Sequence, residues 1–585
     1  MARREGDEHS AHGDDALGED GVTEPAQAPV GGGDDEGFDL ITSPLRRVRF
    51  GRAFVLAGPL GLAIALVLSL WVSTMHVRHS LLVQAETTWR AGDRLALRVQ
   101  IVAERGGPIA DTVITPTLEQ GGARHPLPPL AITARGTAGE GSFEVPSTFV
   151  PGAAVLELDV RADGVDPIHE RIDAQVVRVR APILPTPVVS GSTLQYADDS
   201  DAQLEQWPIV LRASGRLLAG FDNELFVRVT DAHGKPFVGA VEVRLLDGEL
   251  MGLVGAAKQP PALFIGSTDT LGLVRLFGPL GSDVIRIEVR ARPPGAAEQV
   301  RRLRLVSFAG GVDIEVSPDI VRPGDAIEVK AWGLSAKLPI LVDVHGGDGA
   351  FVDVMHPPVV GREPPRPWIA PPGSEGIAQL EAHNHVTAPG ESTAFARVLV
   401  SDVDPGAPVG LSPLLAAYRA TLEERHIEVG YDAVLERAYL DAIANASLTP
   451  SEVASARHYL LATLPAAIHG PPVALVTRER LETELGVVRG RWRIAMRVFL
   501  LGGGALFLGV MAVGMVRSHR RAAALTLAEL RRDHDPADLR GLAEVESQVI
   551  AASRAGIARG MAVIAIMVGG IALTMFILES LVWVF

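Results

Sequence analysis

The chain has 585 residues, no cysteine and a formal net charge of −16. The acidic balance argues against nucleic-acid binding, and the lack of cysteine excludes disulfides, thiolate catalysis and Cys-ligated metals. The length suits three or four domains, and the use of only four lysines among 54 basic residues indicates a GC-rich bacterial genome.

The first 44 residues are strongly acidic, with 12 Asp or Glu and few large apolar side chains. Such a segment cannot bury enough surface to offset the entropy of ordering. We therefore predict a disordered cytoplasmic tail over residues 1–44, with a docking role as the alternative.

Three stretches are apolar enough to cross a bilayer, which takes about 20 residues. They are residues 53–75, 498–516 and 561–585. The first is interpreted as an uncleaved anchor rather than a secretory signal, because the 52 residues before it are too long for the leader of a signal peptide.

The arginines beside these stretches predict the topology. Four precede the first span and three follow the second, and positive charge marks the cytoplasmic side. The segment 76–496 is then outside, and the loop 517–560 is cytoplasmic. Four arginines at the outer end of the second span oppose this assignment, but long exported segments cross largely regardless of charge. These three groups are Arg46, Arg47, Arg49 and Arg52; Arg517, Arg520 and Arg521; and Arg489, Arg491, Arg493 and Arg497.

A lead-in sequence recurs in the segment between the first two spans, and strands with alternating apolar residues follow it. The copies are Trp89 to Asp93, Leu218 to Asp222 and Val321 to Asp325. Their spacing suits tandem β-sandwich domains of about 100 residues. We predict three, over residues 78–182, 183–306 and 307–404.

The clearest of these strands lie in the second domain. Leu225, Val227 and Val229 alternate with Phe226 and Arg228, as in a strand with one buried face. The sequence His233-Gly234-Lys235-Pro236 then predicts a turn, and another strand begins with Val241. A second turn is predicted around Asp269 and Gly272.

The pattern Asp-x-x-Gly-Lys-Pro-x-x-Gly-Ala-Val-x-Val, followed by Thr-Asp-x-x-Gly, resembles macroglobulin-like and bacterial Ig-like domains of envelope proteins. The resemblance covers roughly 100 residues and implies a β-sandwich scaffold. Protease-trapping macroglobulins carry a Cys-Gly-Glu-Gln thioester, and this chain has no cysteine. The thioester chemistry therefore does not transfer.

The stretch from Pro357 to Pro372 in the third domain holds seven prolines. Proline cannot donate a hydrogen bond in a sheet, so we predict an extended surface loop. Trp368 lies within it, and we expect this side chain to pack against its own domain, with exposure for partner contact as the alternative.

From residue 411 the apolar period changes from 2 to 3.6, which predicts helices over residues 411–496 that pack as a small bundle near the outer end of the second span. One stripe comprises Leu414, Leu415, Tyr418 and Leu422, and another comprises Val434, Leu435, Ala438, Tyr439 and Ala442. A third helix begins at Thr449-Pro450-Ser451-Glu452, a capping box. Within the loop 517–560, Asp535 to Asp538 predict the capped start of another helix. We therefore expect the last two spans to form a helical hairpin that extends beyond the bilayer.

A metal site is the main chemical alternative. His383-Asn384-His385 is the only His-x-His, and on a strand both imidazoles would face one side. Asp343 and His345 have the same spacing in the same domain. No general base or open coordination pattern accompanies them, so we interpret the histidines as surface or turn residues. We expect no catalytic, cofactor or metal site.

Glycines in the last two spans allow close helix contact, either between spans or in a homo-oligomer. They are Gly502, Gly503, Gly504, Gly509, Gly569 and Gly570. Glu579, near the outer end of the last span, is interpreted as a boundary residue rather than a proton relay.

Together these features predict a mainly β extracytoplasmic region of tandem sandwiches, a helical bundle and three transmembrane helices. The function expected is a non-enzymatic binding or scaffold protein of the bacterial cytoplasmic (inner) membrane, with the lipid bilayer and envelope proteins as partners. An accessory or sensor subunit of a membrane complex is the alternative, and a metal-dependent hydrolase ranks third.

Overall fold

The chain forms two compact units, a β-rich unit over residues 76–488 and a helical unit made of the residues up to 75 and from 489 onward. The computed structural model describes residues 49–103, 111–132, 138–183, 186–187, 196–197, 207–256, 258–293, 295, 297–309, 311–334, 340–355, 366–371, 375–384, 393–403, 408–424, 433–465, 467–533 and 539–582. The predicted acidic tail and the predicted helix cap at Asp535 to Asp538 lie outside the described residues.

Short strands dominate the β-rich unit. In chain order they are β1 (His79–Ala85), β2 (Thr88–Arg90), β3 (Arg94–Ala103), β4 (Val113–Gln120), β5 (Ala123–Pro126), β6 (Ala131–Ile132), β7 (Ala138–Glu144), β8 (Gly152–Ala162), β9 (Val165–Val177), β10 (Thr186–Pro187), β11 (Tyr196–Ala197), β12 (Ile209–Ala213), β13 (Leu218–Ala219), β14 (Asp222–Val229), β15 (Ala240–Asp247), β16 (Glu249–Leu250), β17 (Leu253–Val254), β18 (Ala262–Ser267), β19 (Leu273–Pro279), β20 (Val284–Ala291), β21 (Gln299–Val306), β22 (Phe308–Ala309), β23 (Val312–Ser317), β24 (Ile320–Val321), β25 (Ala326–Gly333), β26 (Leu341–His345), β27 (Phe351–Met355), β28 (Arg366–Ile369), β29 (Gly376–His383), β30 (Ala394–Val400), β31 (Ala467–Ile468) and β32 (Val473–Val476).

Helices occur in both units. The β-rich unit holds α2 (Ser412–Glu424), α3 (Ala433–Ala444) and α4 (Pro450–Thr463), after a 3₁₀ turn at Pro408–Leu411. The other helices are α1 (Arg49–Ser73), α5 (Thr477–Arg497), α6 (Gly504–Asp533) and α7 (Leu539–Ile577), with π-helical segments at Val498–Gly503 and Leu578–Val582.

Besides the two-stranded sheets β10-β31, β13-β22 and β16-β17, the described strands build three pairs of sheets, which lie mainly within the three predicted sandwich regions. The first pair has the orders β32-β1-β3-β7-β6 and β2-β9-β8-β4-β5. The second has β11-β21-β20-β15-β18 and β12-β14-β19. The third has β24-β30-β29-β26-β27 and β23-β25-β28. The mainly β character predicted from period-2 patterning is therefore confirmed.

The recurring lead-in forms the same arrangement of strands in all three sandwich regions. In each copy a two- or three-residue strand runs parallel to a later strand: β2 beside β9, β13 beside β22 and β24 beside β30. The glycine that follows has positive φ each time, at Gly92, Gly220 and Gly324. These φ values favour glycine because a Cβ would clash with the backbone. The repeat in the sequence thus marks a repeat in the fold.

The turns predicted in the second pair are present. The Asp231 carboxylate accepts hydrogen bonds from the backbone N–H groups of His233 and Lys235, both at 2.9 Å. Gly234 has a φ of 76°, and a Cβ there would lie 2.6 Å from the backbone of α3. Glycine is therefore required both by the turn and by the approach of the helix.

β32 corrects the prediction that residues 411–496 are wholly helical. It pairs antiparallel with β1, with Leu82 opposite Val476. The backbone N–H of Leu81 donates to the Thr477 hydroxyl at 2.8 Å. A strand far along the chain therefore completes the first sheet, and the β-rich unit begins and ends in neighbouring strands.

β28 corrects part of the predicted proline-rich surface loop. It pairs with β25, with Ile327 opposite Trp368. The Trp368 side chain is buried in the core, as the preferred interpretation expected. Residues 356–365 and 372 lie outside the described residues.

Helices α2 to α4 differ from the predicted separate bundle, because their apolar faces are buried against the sheets. They share one core with Phe226 and Leu273 of the second pair and with Leu399 of the third. The capping box at Thr449 and Glu452 is present as predicted. The apolar period showed that these helices have a buried face, but it carried no information about what covers that face.

The buried face of α3 also differs from the predicted stripe. Glu436, Tyr439, Leu440 and Ile443 are buried, whereas Val434 is exposed. The helix is rotated so that the Glu436 carboxylate faces inward.

Among the described residues, two helical stretches are long and apolar enough to cross a bilayer, Thr477–Arg532 and Ala543–Ser580. The apolar part of α1, Ala57–Ser73, is shorter. Ala65, Met496, Leu500 and Leu578 form a small apolar core in this unit. Three membrane spans therefore remain a prediction.

Candidate functional site

A cluster of charged side chains lies buried between the first and third sheet pairs. It centres on Arg98 of β3, Asp343 of β26 and His383 of β29. On β3, Leu97 and Val99 point into the first sandwich, so the residue between them points to the opposite face. That face is covered by the third sheet pair rather than by water. A polar residue at an outward position is thereby enclosed.

The cluster is tightly hydrogen-bonded. The Arg98 guanidinium donates through Nη2 to Asp343 Oδ1 at 2.5 Å, through Nη1 to Gln84 Oε1 at 3.3 Å, and through Nε to Glu140. His383 Nε2 lies 2.8 Å from Asp343 Oδ2. The Asp343 carboxylate therefore joins a strand of the first pair to two strands of the third.

Electrostatics favours the ionised form of this carboxylate. Burial by itself raises the pKa of Asp343, but the neighbouring Arg98 and His383 outweigh it and hold the pKa well below its usual range. For Arg98, burial by itself lowers the pKa, but the negative charges of Asp343 and Glu140 outweigh it and raise the pKa overall. Each buried charge is thus supported by an opposite one.

A second group of side chains continues the cluster toward the segment after α4. The Glu381 carboxylate accepts hydrogen bonds from the backbone N–H groups of His469 and Gly470, at 2.7 and 3.1 Å. The His345 ring stacks on that of His469 with centroids 4.9 Å apart, and its Nε2 lies 3.8 Å from Glu381 Oε2. These contacts hold the returning chain onto β29 just before β32.

The interpretation of the histidines as surface or turn residues is wrong for His345 and His383, which are both buried. The physical reason is that both strand faces are covered, one by the sandwich and one by the neighbouring domain. His385 lies outside the described residues. No group of three His, Asp or Glu residues in the described part of the chain is arranged to hold a metal.

A second buried ion cluster anchors α3 on the second sheet pair. Glu436 accepts hydrogen bonds from Arg212 at 2.6 Å and from Arg228 at 2.6 and 2.8 Å. Arg228 also donates to the Tyr459 hydroxyl at 3.1 Å and stacks over the Tyr439 ring at 4.3 Å. Burial raises the pKa of Glu436, but the two guanidiniums lower it overall to about 2.

This second cluster was missed from the sequence. Arg228 alternates with the buried Val227 and Val229, so its position predicted a solvent-facing side chain. Instead the helices cover that face, and Glu436 supplies the counter-charge. The only sequence signal was an acidic residue beside the apolar stripe of α3, and that arrangement is also typical of a solvated helix edge.

A cleft of about 250 Å³ lies between β19 and α4, lined by Phe226, Asp269, Leu273, Arg275, Ala454, Ser455 and His458. At its edge His458 Nε2 lies 3.0 Å from both carboxylate oxygens of Glu224, which also pairs with Arg275. The charged groups here are therefore engaged with one another across the helix–sheet boundary.

The glycines and Glu579 of the helical unit have distinct environments. A Cβ at Gly504 would lie 2.9 Å from Ile571, so this glycine permits close contact of α6 and α7. Apart from the chain neighbours and the backbone of the same helix, no atom of the described residues lies within 4 Å of such a Cβ at Gly502, Gly509 or Gly569. Glu579 accepts two hydrogen bonds from Arg497, at 2.6 and 2.8 Å.

No family model matches this sequence, and no curated protein matches it. A tetra-tandem repeat from the extending region of a large adhesion protein aligns with 56% of this chain and 75% of its own, at 11% identity and a TM-score of 0.15. Trypsin-activated alpha-2-macroglobulin from Escherichia coli aligns with 57% of this chain and 24% of its own, at 11% identity and a TM-score of 0.15.

Dimeric latent PorU from Porphyromonas gingivalis aligns with 55% of this chain and 34% of its own, at 13% identity and a TM-score of 0.19. This chain thus spans about a quarter and a third of the macroglobulin and of PorU. With TM-scores of this size, none of the three similarities carries an argument about function.

Proposed function

We propose that the chain is a non-enzymatic, multi-pass protein of the bacterial cytoplasmic membrane that presents its β-rich unit outside the cytoplasm as a binding or scaffold module. Its membrane spans are residues 53–75, 498–516 and 561–585. The observation that carries the proposal is the pairing of β1 with β32. A large β-rich unit thereby begins and ends at one sheet edge, with apolar helices before and after it in the chain.

The buried ion clusters support a scaffold rather than a catalytic role. Arg98 with Asp343, and Arg228 with Glu436, join separate domains or a helix to a sheet. Breaking such a pair leaves an uncompensated buried charge, so the pairs oppose movement between the parts that they join. A rigid unit of this kind suits the presentation of a binding surface.

Two open edges in the second sheet pair support binding to a protein partner. β18 and β19 each end a sheet among the described strands. They carry Ile265 and Phe277, whose side chains are 73% and 57% exposed. An edge strand with exposed apolar residues is suited to pairing with a strand of another protein.

The alternative is an accessory or sensor subunit of a membrane complex. It is favoured by the hairpin of α6 and α7, which continues beyond the apolar stretches and is held by an ion pair between Arg531 and Glu546 at 2.8 Å. A rigid helical projection in the cytoplasm would offer a docking point for other subunits.

Thiol labelling tests the topology, because any introduced cysteine is the only one in the chain. Ser10, Ser267 and Ser547 are replaced singly with cysteine, and intact spheroplasts are treated with a membrane-impermeant maleimide before and after lysis. Only the Ser267→Cys variant should react before lysis. Reaction of Ser547→Cys alone would place the β-rich unit in the cytoplasm and contradict the proposal.

Cross-linking and co-purification from mild detergent test the binding role. Aspartate at Ile265 and Phe277 should remove a cross-linked protein that the wild type retains. The matched control places aspartate at Val113 and Val179, which are exposed in the first sandwich region. Equal loss in both double variants, or no specific cross-linked protein, would refute binding through these edges.

A further inference from the structure

Five arginines on α6 and α7 form an exposed belt at one level of the helical hairpin. The two helices run antiparallel, with Ser553 Oγ donating to the backbone carbonyl of His519 at 3.5 Å. A Cβ at Gly556 would lie 2.7 Å from the His519 ring, which fixes the same register. The belt comprises Arg517, Arg520, Arg521, Arg554 and Arg559.

The positive charge of the belt is not balanced by neighbouring acidic side chains among the described residues. All five side chains are exposed, and no ion pair or side-chain hydrogen bond joins any of them to another described residue. The sequence holds no Asp or Glu over residues 498–528 or 547–578. Mixed charge begins farther along the hairpin, where Arg531 pairs with Glu546.

An exposed apolar surface adjoins the belt on its other side. Val510 and Val513 of α6 and Ile566 of α7 are exposed. Val513 precedes Arg517 by one helical turn, which corresponds to roughly 6 Å along the axis. A bilayer that covers the valines would therefore have its lipid phosphates at the level of the arginines.

Two of the four arginines at the opposite end of the apolar stretches, Arg489 and Arg497, are engaged within the protein. Arg489 donates to the backbone carbonyl of Met75, and Arg497 is paired with Glu579. Those two guanidiniums already have acceptors. The belt arginines have none among the described residues, so their guanidinium N–H groups are available to an external anion.

We propose that this arginine belt binds the phosphate groups of anionic phospholipids, such as phosphatidylglycerol, in the leaflet around the hairpin. The inference rests on the membrane anchoring given above and adds a lipid preference to it. Guanidinium groups donate two parallel hydrogen bonds to phosphate, and each basic residue near an anionic surface adds to the attraction.

A fluorophore on Ser518→Cys tests the proposal, because this exposed residue lies within the belt and the chain has no other thiol. The full chain is placed in phosphatidylcholine nanodiscs with spin-labelled phosphatidylglycerol or spin-labelled phosphatidylcholine as quencher. Quenching should favour the anionic lipid by roughly three- to tenfold and should decline at high salt.

Charge variants identify the source of the preference. Arg517→Gln with Arg559→Gln should reduce it at least about threefold, while Lys at both positions should retain most of it. Arg531→Gln with Arg532→Gln makes the same charge change farther along the hairpin and should have little effect. Retained preference in the Arg517 and Arg559 glutamine variant, or equal loss in the control, would overturn the proposal.

Three further outcomes of the quenching experiment distinguish a preference for anionic lipid from membrane anchoring alone and from a site for free anions. Equal quenching by the two lipids in the wild type would overturn the lipid preference and leave membrane anchoring intact. Absence of quenching by either lipid would overturn both. Loss of the preference on addition of millimolar inorganic phosphate would indicate a site for free anions, and would also overturn binding to lipid.

Discussion

Replacement of Asp343 by asparagine removes the charge that joins the first and third sheet pairs. The variant keeps the size of the side chain but weakens two charge-assisted hydrogen bonds, from Arg98 at 2.5 Å and with His383 at 2.8 Å. Such bonds contribute about 1.5–3 kcal/mol each. Because Glu140 still accepts from Arg98, we expect a net loss of about 2–4 kcal/mol in the free energy of unfolding.

The assay is urea unfolding of the purified β-rich unit, residues 76–488, at pH 7. Asp402→Asn is the matched control, since Asp402 is an exposed carboxylate in the same sheet region. Its cost should stay within about 0.5 kcal/mol. A cost below about 1 kcal/mol for Asp343→Asn, or equal costs for the two variants, would refute the argument that the buried cluster stabilises the domain contact.

The Asp343→Asn variant should also change how the free energy of unfolding depends on pH. The pKa of Asp343 is lowered in the folded protein, so its ionised form stabilises the fold. This contribution is complete above the unfolded value of about 3.9 and is lost as pH falls below it toward the folded pKa. The difference in stability between wild type and Asp343→Asn should therefore shrink below about pH 4. A difference that stays constant down to pH 2 would contradict the assignment.

Two other predictions concern the same unit. A fragment of residues 76–488 should be soluble and folded, with a far-UV circular dichroism spectrum of mixed strand and helix. A fragment of residues 78–404 should aggregate, because it lacks β32 and the helices that cover the sheets. Comparable solubility of the two fragments would contradict this prediction. Glu436→Gln should destabilise the larger fragment by about 3–5 kcal/mol in the same urea assay, because it removes the charged carboxylate with which the buried Arg212 and Arg228 are paired. The matched control is Glu479→Gln at an exposed position of α5, and equal costs for the two glutamine variants would contradict the assignment.

Local features were predictable from the sequence because they depend on residues close together in the chain. Alternation at Leu225, Val227 and Val229 indicated a strand, since successive side chains point to opposite faces. Asp231 and Gly234 indicated the turn, and Thr449 with Glu452 indicated the start of a helix. Each of these signals operates within about five residues.

What covers each surface was decided only by the tertiary structure. Arg98 and Arg228 occupy positions that alternate with buried residues, and alternation alone predicts solvent-facing side chains at such positions. The structure covers both, because the third sheet pair and α3 supply the carboxylates of Asp343 and Glu436. The pairing of β1 with β32 likewise joins segments almost 400 residues apart, as the contact between Leu81 and Thr477 shows. Periodicity determines that a face is polar or apolar, but the choice of partner depends on long-range packing and charge complementarity that no local pattern contains.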